Sequence, residues 1–181
     1  MRARRTRIDA TRARGRRGDP RDGWGAVRIV IQRVTRASVD VGGDRVAAIG
    51  RGLLALVGVA RDDGPGDAER LAAKTAALRL FPSDERGFDR TVGQVGGAVL
   101  VVSQFTLLGD ARRGSRPSWS AAAAPDVAAP LVLAYEAGLQ AREVPVLRGV
   151  FGADMAVGLC NDGPVTLVLD SRDLAGARRG S

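Results

Sequence analysis

The chain has 181 residues, of which 45% are apolar and 27% charged, and its formal net charge is +8. This length is typical of one domain with its own core, and no apolar run reaches the roughly 18 residues that a membrane span needs. The absence of histidine excludes histidine triads and histidine metal ligands. A single cysteine excludes internal disulfides and is typical of a reducing compartment.

Much of the positive charge lies at the N-terminus. Residues 1–27 hold nine arginines and three aspartates, a net charge of +6, which leaves +2 for the rest of the chain. A segment so poor in apolar residues is expected to be a basic disordered extension, residues 1–26. Three interpretations are open: an arm that binds nucleic acid, a targeting peptide, or a translation start that belongs at Val27. We favour the third because strand-like sequence begins abruptly at that residue.

The hydrophobic pattern predicts one domain over residues 27–171 and a polar tail over 172–181. Strands are predicted at 28–41, 45–49, 53–59, 97–102, 144–151, 154–161 and 165–169. Helices are predicted at 68–80, capped by Asp67, and at 125–142. The almost continuously apolar run 53–59 indicates a central strand buried on both faces. This order predicts a β-rich α+β fold with a mixed or mostly antiparallel sheet and two main helices.

Four residues at the end of a predicted buried strand are candidates for chemistry: Ser103, Gln104, Phe105 and Thr106. Polar side chains at such a position often line a site, although a strand that simply meets water explains them as well. The segment holds no histidine or lysine that could activate a hydroxyl. A serine-hydrolase mechanism is therefore disfavoured.

A second candidate is the segment from Asn161 to Thr166, whose first four residues predict a sharp turn between two strands. A plain hairpin connection explains this pattern. A Gly-Pro bond, however, adopts the cis form at low cost. A cis Gly163-Pro164 bond would point two carbonyls the same way, as acceptors for a ligand ammonium group.

A third candidate is the basic loop that carries Arg112, Arg113, Arg116 and Trp119. Arginine beside an aromatic ring suits phosphate binding and base stacking. The chain has 27 arginines and one lysine, so a solvated loop with the composition of the whole chain is an equal alternative.

The runs 101–107 and 161–166 resemble the two signature motifs of D-aminoacyl-tRNA deacylases. The run 31–39 resembles the start of that family, and the resemblance extends from about residue 27 to residue 169. It implies a cytoplasmic homodimer without metal or organic cofactor. The implied activity hydrolyses the ester of D-aminoacyl-tRNA, and of tRNA mischarged with glycine, as quality control of translation. No membrane partner is implied.

The resemblance also implies roles for individual residues. Gly163 and Pro164 would reach into the partner subunit's pocket as a cis pair, hold the substrate ammonium group and reject L-amino acids. Arg33 and Asn161 would support that loop, and residues 103–106 would line the pocket floor. The tRNA-binding candidates are Arg112, Arg113 and Arg116.

One segment departs from the family pattern. Many members carry Lys-Met-Asn where this chain has Gly87-Phe88-Asp89-Arg90, and this departure affects the expected contacts with the tRNA end more than the expected Gly-Pro pocket. A rival interpretation is a non-catalytic nucleic-acid-binding protein that keeps the deacylase fold.

Overall fold

The computed structural model describes residues 26–83, 87–112 and 114–175. The expectations for residues 1–25, for Arg113 and for residues 176–181 of the predicted tail lie outside the described residues. The strands are β1 (Arg28–Val41), β2 (Asp44–Ile49), β3 (Gly52–Gly58), β4 (Ala98–Ser103), β5 (Val146–Arg148) and β6 (Ala156–Asp170). The helices are α1 (Pro65–Ala77), α2 (Pro125–Gln140), α3 (Ser171–Ala175) and a 3-10 helix, Phe105–Leu108.

The six strands form one mixed sheet. β1 pairs antiparallel with β2, β3 and β6, whereas β3, β4 and β5 are mutually parallel. Parallel neighbours need a crossover connection, which α1 supplies between β3 and β4 and α2 between β4 and β5. The α+β class with a mixed sheet is therefore confirmed.

The core lies on both faces of β3. On one face, Leu53 and Ala55 belong to a cluster that includes residues of α1 and α2, among them Leu71 and Tyr135. On the other face, Leu54 packs in a second cluster with residues of β1, β2 and β4. The sheet thus curls into a near-barrel, and the prediction of a strand buried on both faces is confirmed.

Helix α1 begins earlier than predicted. It starts at Pro65, a residue suited to the first turn, and Asp67 lies inside the helix, where Oδ2 accepts the backbone N–H of Gly64 at 3.0 Å. Its end is also earlier, because Leu78 has extended backbone angles. Leu78 and Leu80 contribute to the core from an irregular segment, which is why they extended the apparent helical pattern.

The predicted sharp turn at residues 161–164 is wrong. β6 runs along β1 on both sides of this segment, with Asn161 opposite Val34 and Thr166 opposite Gln32. Four residues of β6, 162–165, therefore face the single residue Arg33. The segment is an outward excursion within one strand and does not connect two strands.

Two further elements differ from the predictions. β5 spans three residues rather than the predicted 144–151, and the first residues after Asp170 form α3, whose Leu174 packs against the core. Among the described residues, no helix is both long and apolar enough to cross a membrane.

Candidate functional site

A cavity of about 950 Å³ opens at the carboxyl ends of the three parallel strands. Crevices at this edge of parallel strands are common ligand sites. Val57 and Val59 of the β3 end, Ser103 of β4 and the segment after β5 line it, together with the start of α2. The remaining lining residues include Arg61, Gln104, Phe105, Trp119, Phe151 and Met155.

The predicted motif 103–106 lies at this cavity. Ser103 ends β4, and the backbone N–H of Gln104 donates to the carbonyl of Val57 at 2.7 Å. The 3-10 helix then lies close against β3, because a Cβ at Gly58 would lie 2.5 Å from Cδ2 of Leu108 and 2.8 Å from the carbonyl oxygen of Gln104. Only glycine at position 58 permits this approach.

The hydroxyl of Thr106 has a neutral neighbour. Nε2 of Gln104 donates to Oγ1 of Thr106 at 2.5 Å, and the Thr106 side chain is exposed. A side-chain amide is not a base, and the chain has no histidine. The hydrogen-bond partner described for this hydroxyl therefore cannot take its proton.

Two aromatic rings form one wall of the cavity. Phe105 and Trp119 meet edge to face, with ring centroids 5.6 Å apart and an interplanar angle of 80°. Trp119 also packs closely on Gly109, where a Cβ would lie 2.4 Å from Cζ3 of the indole. These exposed rings offer apolar faces to a planar ligand group.

The excursion that carries Gly163 and Pro164 is held by Arg33. Nε of Arg33 lies 3.2 Å from the carbonyl oxygen of Asp162 and 3.0 Å from its carboxylate. Nη1 of the same side chain donates to the carbonyl of Leu80 at 2.5 Å. Arg33 is only 8% exposed, so a nearly buried cation fixes the base of an exposed loop.

Asn161 fixes the loop from its other end. Its Oδ1 accepts the N–H of Val165 at 2.9 Å, and its Nδ2 donates to the carbonyl of Val165 at 3.2 Å. The peptide bond between Gly163 and Pro164 is cis, and both residues are exposed. Hydrogen bonds between two residues of β6 therefore hold the loop, and the Gly-Pro pair is exposed to solvent.

Within one chain, the two predicted motifs are apart. Gly163 and Pro164 are not among the residues that line the cavity. The backbone N–H of Gln104 bonds to Val57 of β3. Gly163 faces Arg33, which lies four residues farther along β1 than the residue that pairs with Val57, and Gly163 is on the side of β1 opposite to β3. The two motifs are separated by about 13 Å along the strands and by three strand spacings, about 14 Å, across the sheet.

The predicted RNA contacts are partly described. Arg112 pairs with Asp110 at 2.9 Å, and Arg116 is exposed. Arg61, which lines the cavity just after β3, was not among the residues expected to bind RNA. The signal that selected Ser103, a polar residue following a buried strand, would have selected Arg61 too.

Two carboxyl groups have perturbed pKa values. Burial raises the pKa of Asp63 to about 6, although Asp63 accepts the N–H of Ala60 at 2.6 Å. Burial also raises the pKa of Glu136, against the opposing effect of Arg148 at 3.3 Å. Glu136 and Ser103 line a smaller neighbouring cavity of about 350 Å³. No group of three or more Cys, Asp or Glu residues in the described ranges could hold a metal ion.

Sequence comparisons agree on one family. A family model described as D-Tyr-tRNA(Tyr) deacylase matches residues 30–170. A protein named D-aminoacyl-tRNA deacylase from Chloroflexus aurantiacus is 58% identical over 153 residues, which cover 84% of this chain and 96% of that protein. The protein of the same name from Thermus aquaticus is 51% identical over 152 residues, which cover 84% of this chain and all of that protein, 100%.

Solved structures give the same fold. A structure named c-Myc DNA Unwinding Element Binding Protein matches with a TM-score of 0.73 and 36% identity, covering 78% of this chain and 97% of that one. A structure described as a probable eukaryotic D-amino acid tRNA deacylase matches with a TM-score of 0.69 and 17% identity, covering 80% and 99%. At that identity, the second match establishes the fold alone.

Proposed function

The chain belongs to the D-Tyr-tRNA(Tyr) deacylase family, and we propose that it hydrolyses the ester between a D-amino acid and the 3′ end of tRNA. The observation that carries this proposal is the cavity at the carboxyl ends of β3 and β4, with residues 103–106 at its edge. Its volume lies within the range of small-molecule sites. It is large enough to take an aminoacyl group together with part of the terminal nucleoside.

The proposed mechanism uses orientation and charge stabilisation. Water attacks the ester carbonyl, the C–O bond to the ribose breaks, and the proton passes to the ribose oxygen. The N–H groups of Phe105 and Thr106 begin the 3-10 helix, where helical N–H groups lack acceptors within the helix. They are suited to bind the developing oxyanion. The vicinal ribose hydroxyl of the substrate assists the water, since the partner described for Thr106, Gln104, cannot take a proton.

The Gly163-Pro164 loop is proposed to select the substrate's configuration from the partner subunit. The loop is exposed and held at both ends, but Gly163 and Pro164 do not line the cavity of their own chain. A second copy of the chain would bring it to the other subunit's cavity, where its carbonyls hold the substrate ammonium group. An L side chain then meets the loop and is excluded, which is discrimination by an unfavourable contact.

We propose a homodimer for the same reason. β6 pairs with β1 alone in the described sheet and carries exposed apolar side chains at Leu159 and Val168, the latter 65% exposed. Exposed apolar residues along a sheet edge favour association with another chain. Glycine has no side chain for the loop to exclude, so glycyl-tRNA is proposed as a second substrate.

Recognition of the tRNA end is proposed to use Arg61, Arg112 and Arg116, with Arg113 outside the described residues. Arg61 lies at the cavity itself, and arginine contacts phosphate effectively through its planar guanidinium. The Phe105 and Trp119 rings supply faces on which a base can stack.

A second candidate function is nucleic-acid binding without catalysis. It is favoured by the 36% identity to a structure named as a DNA unwinding element binding protein. The two functions make different demands on residues 103–106 and 161–166. Binding alone requires neither the packed approach at Gly58 nor the fixed Gly-Pro loop.

The test is release of amino acid from D-tyrosyl-tRNA by the full chain in the presence of EDTA. We expect release well above spontaneous hydrolysis. Retention of tRNA in a mobility-shift assay, with no release above the spontaneous rate, would support the binding function and contradict the deacylase proposal.

A further inference from the structure

One exposed aromatic side chain is not accounted for by the cavity. Four aromatic side chains in the described ranges are exposed, and Phe105, Trp119 and Phe151 line the cavity. The fourth, Phe88, does not line it and is 61% exposed. Its ring contributes little to the core, so its position calls for another explanation.

Phe88 lies over the guanidinium of Arg33. The Cζ atom of Arg33 is 5.7 Å from the centroid of the Phe88 ring, within the range of about 6 Å for an attractive cation–π contact. The backbone places the ring there: the N–H groups of Asp89 and Arg90 both donate to the carbonyl of Phe81, at 3.0 and 2.9 Å.

The same short pairing presents a second group to Arg33. Leu80 precedes Phe81, and its carbonyl accepts Nη1 of Arg33. One side of the guanidinium is therefore held by the segments around residues 80 and 88. The other side holds Asp162, and Nη2 lies 3.0 Å from the position that a Cβ of Gly163 would occupy.

We propose that Phe88 is a positioning residue for the Gly163-Pro164 loop. Its ring holds the Arg33 guanidinium in the orientation that meets Asp162, and through Arg33 it controls how strictly L-aminoacyl-tRNA is rejected. This inference rests on the proposed role of the loop in selecting configuration. It also assigns a function to the segment that departs from the family pattern.

If Phe88 only supported the fold, shortening it would lower the melting temperature and leave the ratio of L to D release unchanged. Because Phe88 is mostly exposed, shortening it should change the melting temperature little. Loss of a cation–π contact at an exposed site instead changes the equilibrium constant between the held and the displaced loop by roughly 2- to 5-fold. The effect should therefore appear in the ratio of L to D release and not in stability.

The experiment compares the full chain with Phe88→Leu and Phe88→Tyr, using D- and L-tyrosyl-tRNA with enzyme in excess. Phe88→Leu should raise the L-to-D ratio of rate constants about 2- to 5-fold. Phe88→Tyr, which keeps a ring, should restore the ratio of the original chain. Val46→Ala is the control, since Val46 is a similarly exposed apolar side chain on β2.

Two outcomes would overturn the inference separately from the role of the loop. In the first, Gly163→Ala raises the L-to-D ratio while Phe88→Leu leaves it unchanged. In the second, Phe88→Leu raises the enzyme concentration at half-maximal rate equally for both esters, which would place the ring against the tRNA. If neither Gly163→Ala nor Phe88→Leu changes the ratio, the proposed role of the loop fails and this inference fails with it.

Discussion

Arg33 meets Asp162 twice across the β1–β6 pair, through the main-chain carbonyl at 3.2 Å and the carboxylate at 3.0 Å from one nitrogen, Nε. Removing one partner of a pair in which one charge is nearly buried leaves that charge uncompensated. The structure thus uses a buried cation to hold an exposed loop in one position. A loop that excludes a side chain by contact requires such rigidity.

The first prediction concerns Gly163. Its φ is +125°, and a Cβ would lie 2.8 Å from Cγ2 of Val165 and 3.0 Å from Nη2 of Arg33. Gly163→Ala should therefore displace the loop and raise release from L-tyrosyl-tRNA, with at most a small loss for the D ester. Gly43→Ala is the matched control because Gly43 also has a positive φ, +95°, but no neighbour within 4 Å. If the two variants raised release from L-tyrosyl-tRNA equally, the proposed role of the loop in rejecting L-amino acids would be contradicted.

The second prediction concerns Thr106. If the hydroxyl only accepts the Gln104 hydrogen bond, Thr106→Ala should lower release from D-tyrosyl-tRNA by no more than about tenfold, the worth of one such bond. Single-turnover release with folded protein measures this, and Thr106→Ser is the comparison that retains the hydroxyl. Complete loss of release in a folded Thr106→Ala protein that still binds substrate would contradict the proposed mechanism, in which this hydroxyl is not essential.

The third prediction concerns the close approach at Gly58. A Cβ would lie 2.5 Å from Leu108 and 2.8 Å from the carbonyl oxygen of Gln104, so Gly58→Ala should push the 3-10 helix away from β3. We expect the free energy of unfolding to fall by about 1–3 kcal/mol. We expect the rate of release from D-tyrosyl-tRNA to fall by a larger proportion than the free energy of unfolding. Thermal unfolding and release measure the two effects. Gly50→Ala, just before β3 with no neighbour within 4 Å, should change neither.

The fourth prediction concerns Asp63 and pH. Burial raises its pKa from 3.8 to about 6 in the folded chain, so the unfolded chain ionises first as pH rises. Asp63 therefore costs no stability below about pH 4, and the cost develops between pH 4 and 6 and remains above it. Because the site is only half buried, the cost is of the order of 1 kcal/mol after allowance for screening.

Urea unfolding at pH 4 and pH 7 tests this sign. Asp63→Asn keeps an acceptor for the Ala60 N–H and should gain stability over the original chain at pH 7 but not at pH 4. Asp62→Asn, at the exposed neighbouring position, is the control. A gain that is the same at both pH values would contradict the raised pKa as the cause.

The fifth prediction concerns Arg116. If it contacts phosphate, Arg116→Ala should raise KM for D-tyrosyl-tRNA and leave kcat nearly unchanged. The slope of log affinity against log salt should fall by about one. Arg45→Ala removes an exposed arginine paired with Asp40 at the β1–β2 hairpin and serves as the control. An unchanged salt slope for Arg116→Ala would show that Arg116 does not contact a tRNA phosphate.

Much of the sheet could be predicted from local sequence. The run 53–59 is continuously apolar because β3 is covered on both faces, and β1 alternates because its inner side chains alternate with partly exposed ones. The turn predicted at residues 161–164 failed for a physical reason. Asn-Asp-Gly-Pro favours the same local bend in a hairpin and in an excursion, and only the pairing of both flanks with the distant strand β1 separates the two.

The site was predictable where one segment carries it. Ser103 and its neighbours follow a buried strand, which is a local signal. The opposite wall comes from Phe151 to Met155, after β5, and from the start of α2. Sequence reasoning did not place those residues at the cavity because their approach depends on the order of β3, β4 and β5 in the sheet.

The most direct test of the account is the ratio of rate constants for D- and L-tyrosyl-tRNA, measured with the full chain in excess and corrected for spontaneous hydrolysis. We expect a ratio of at least about 100, since exclusion of a side chain by contact costs several kcal/mol. Comparable release of both esters would contradict selection of configuration by the Gly163-Pro164 loop.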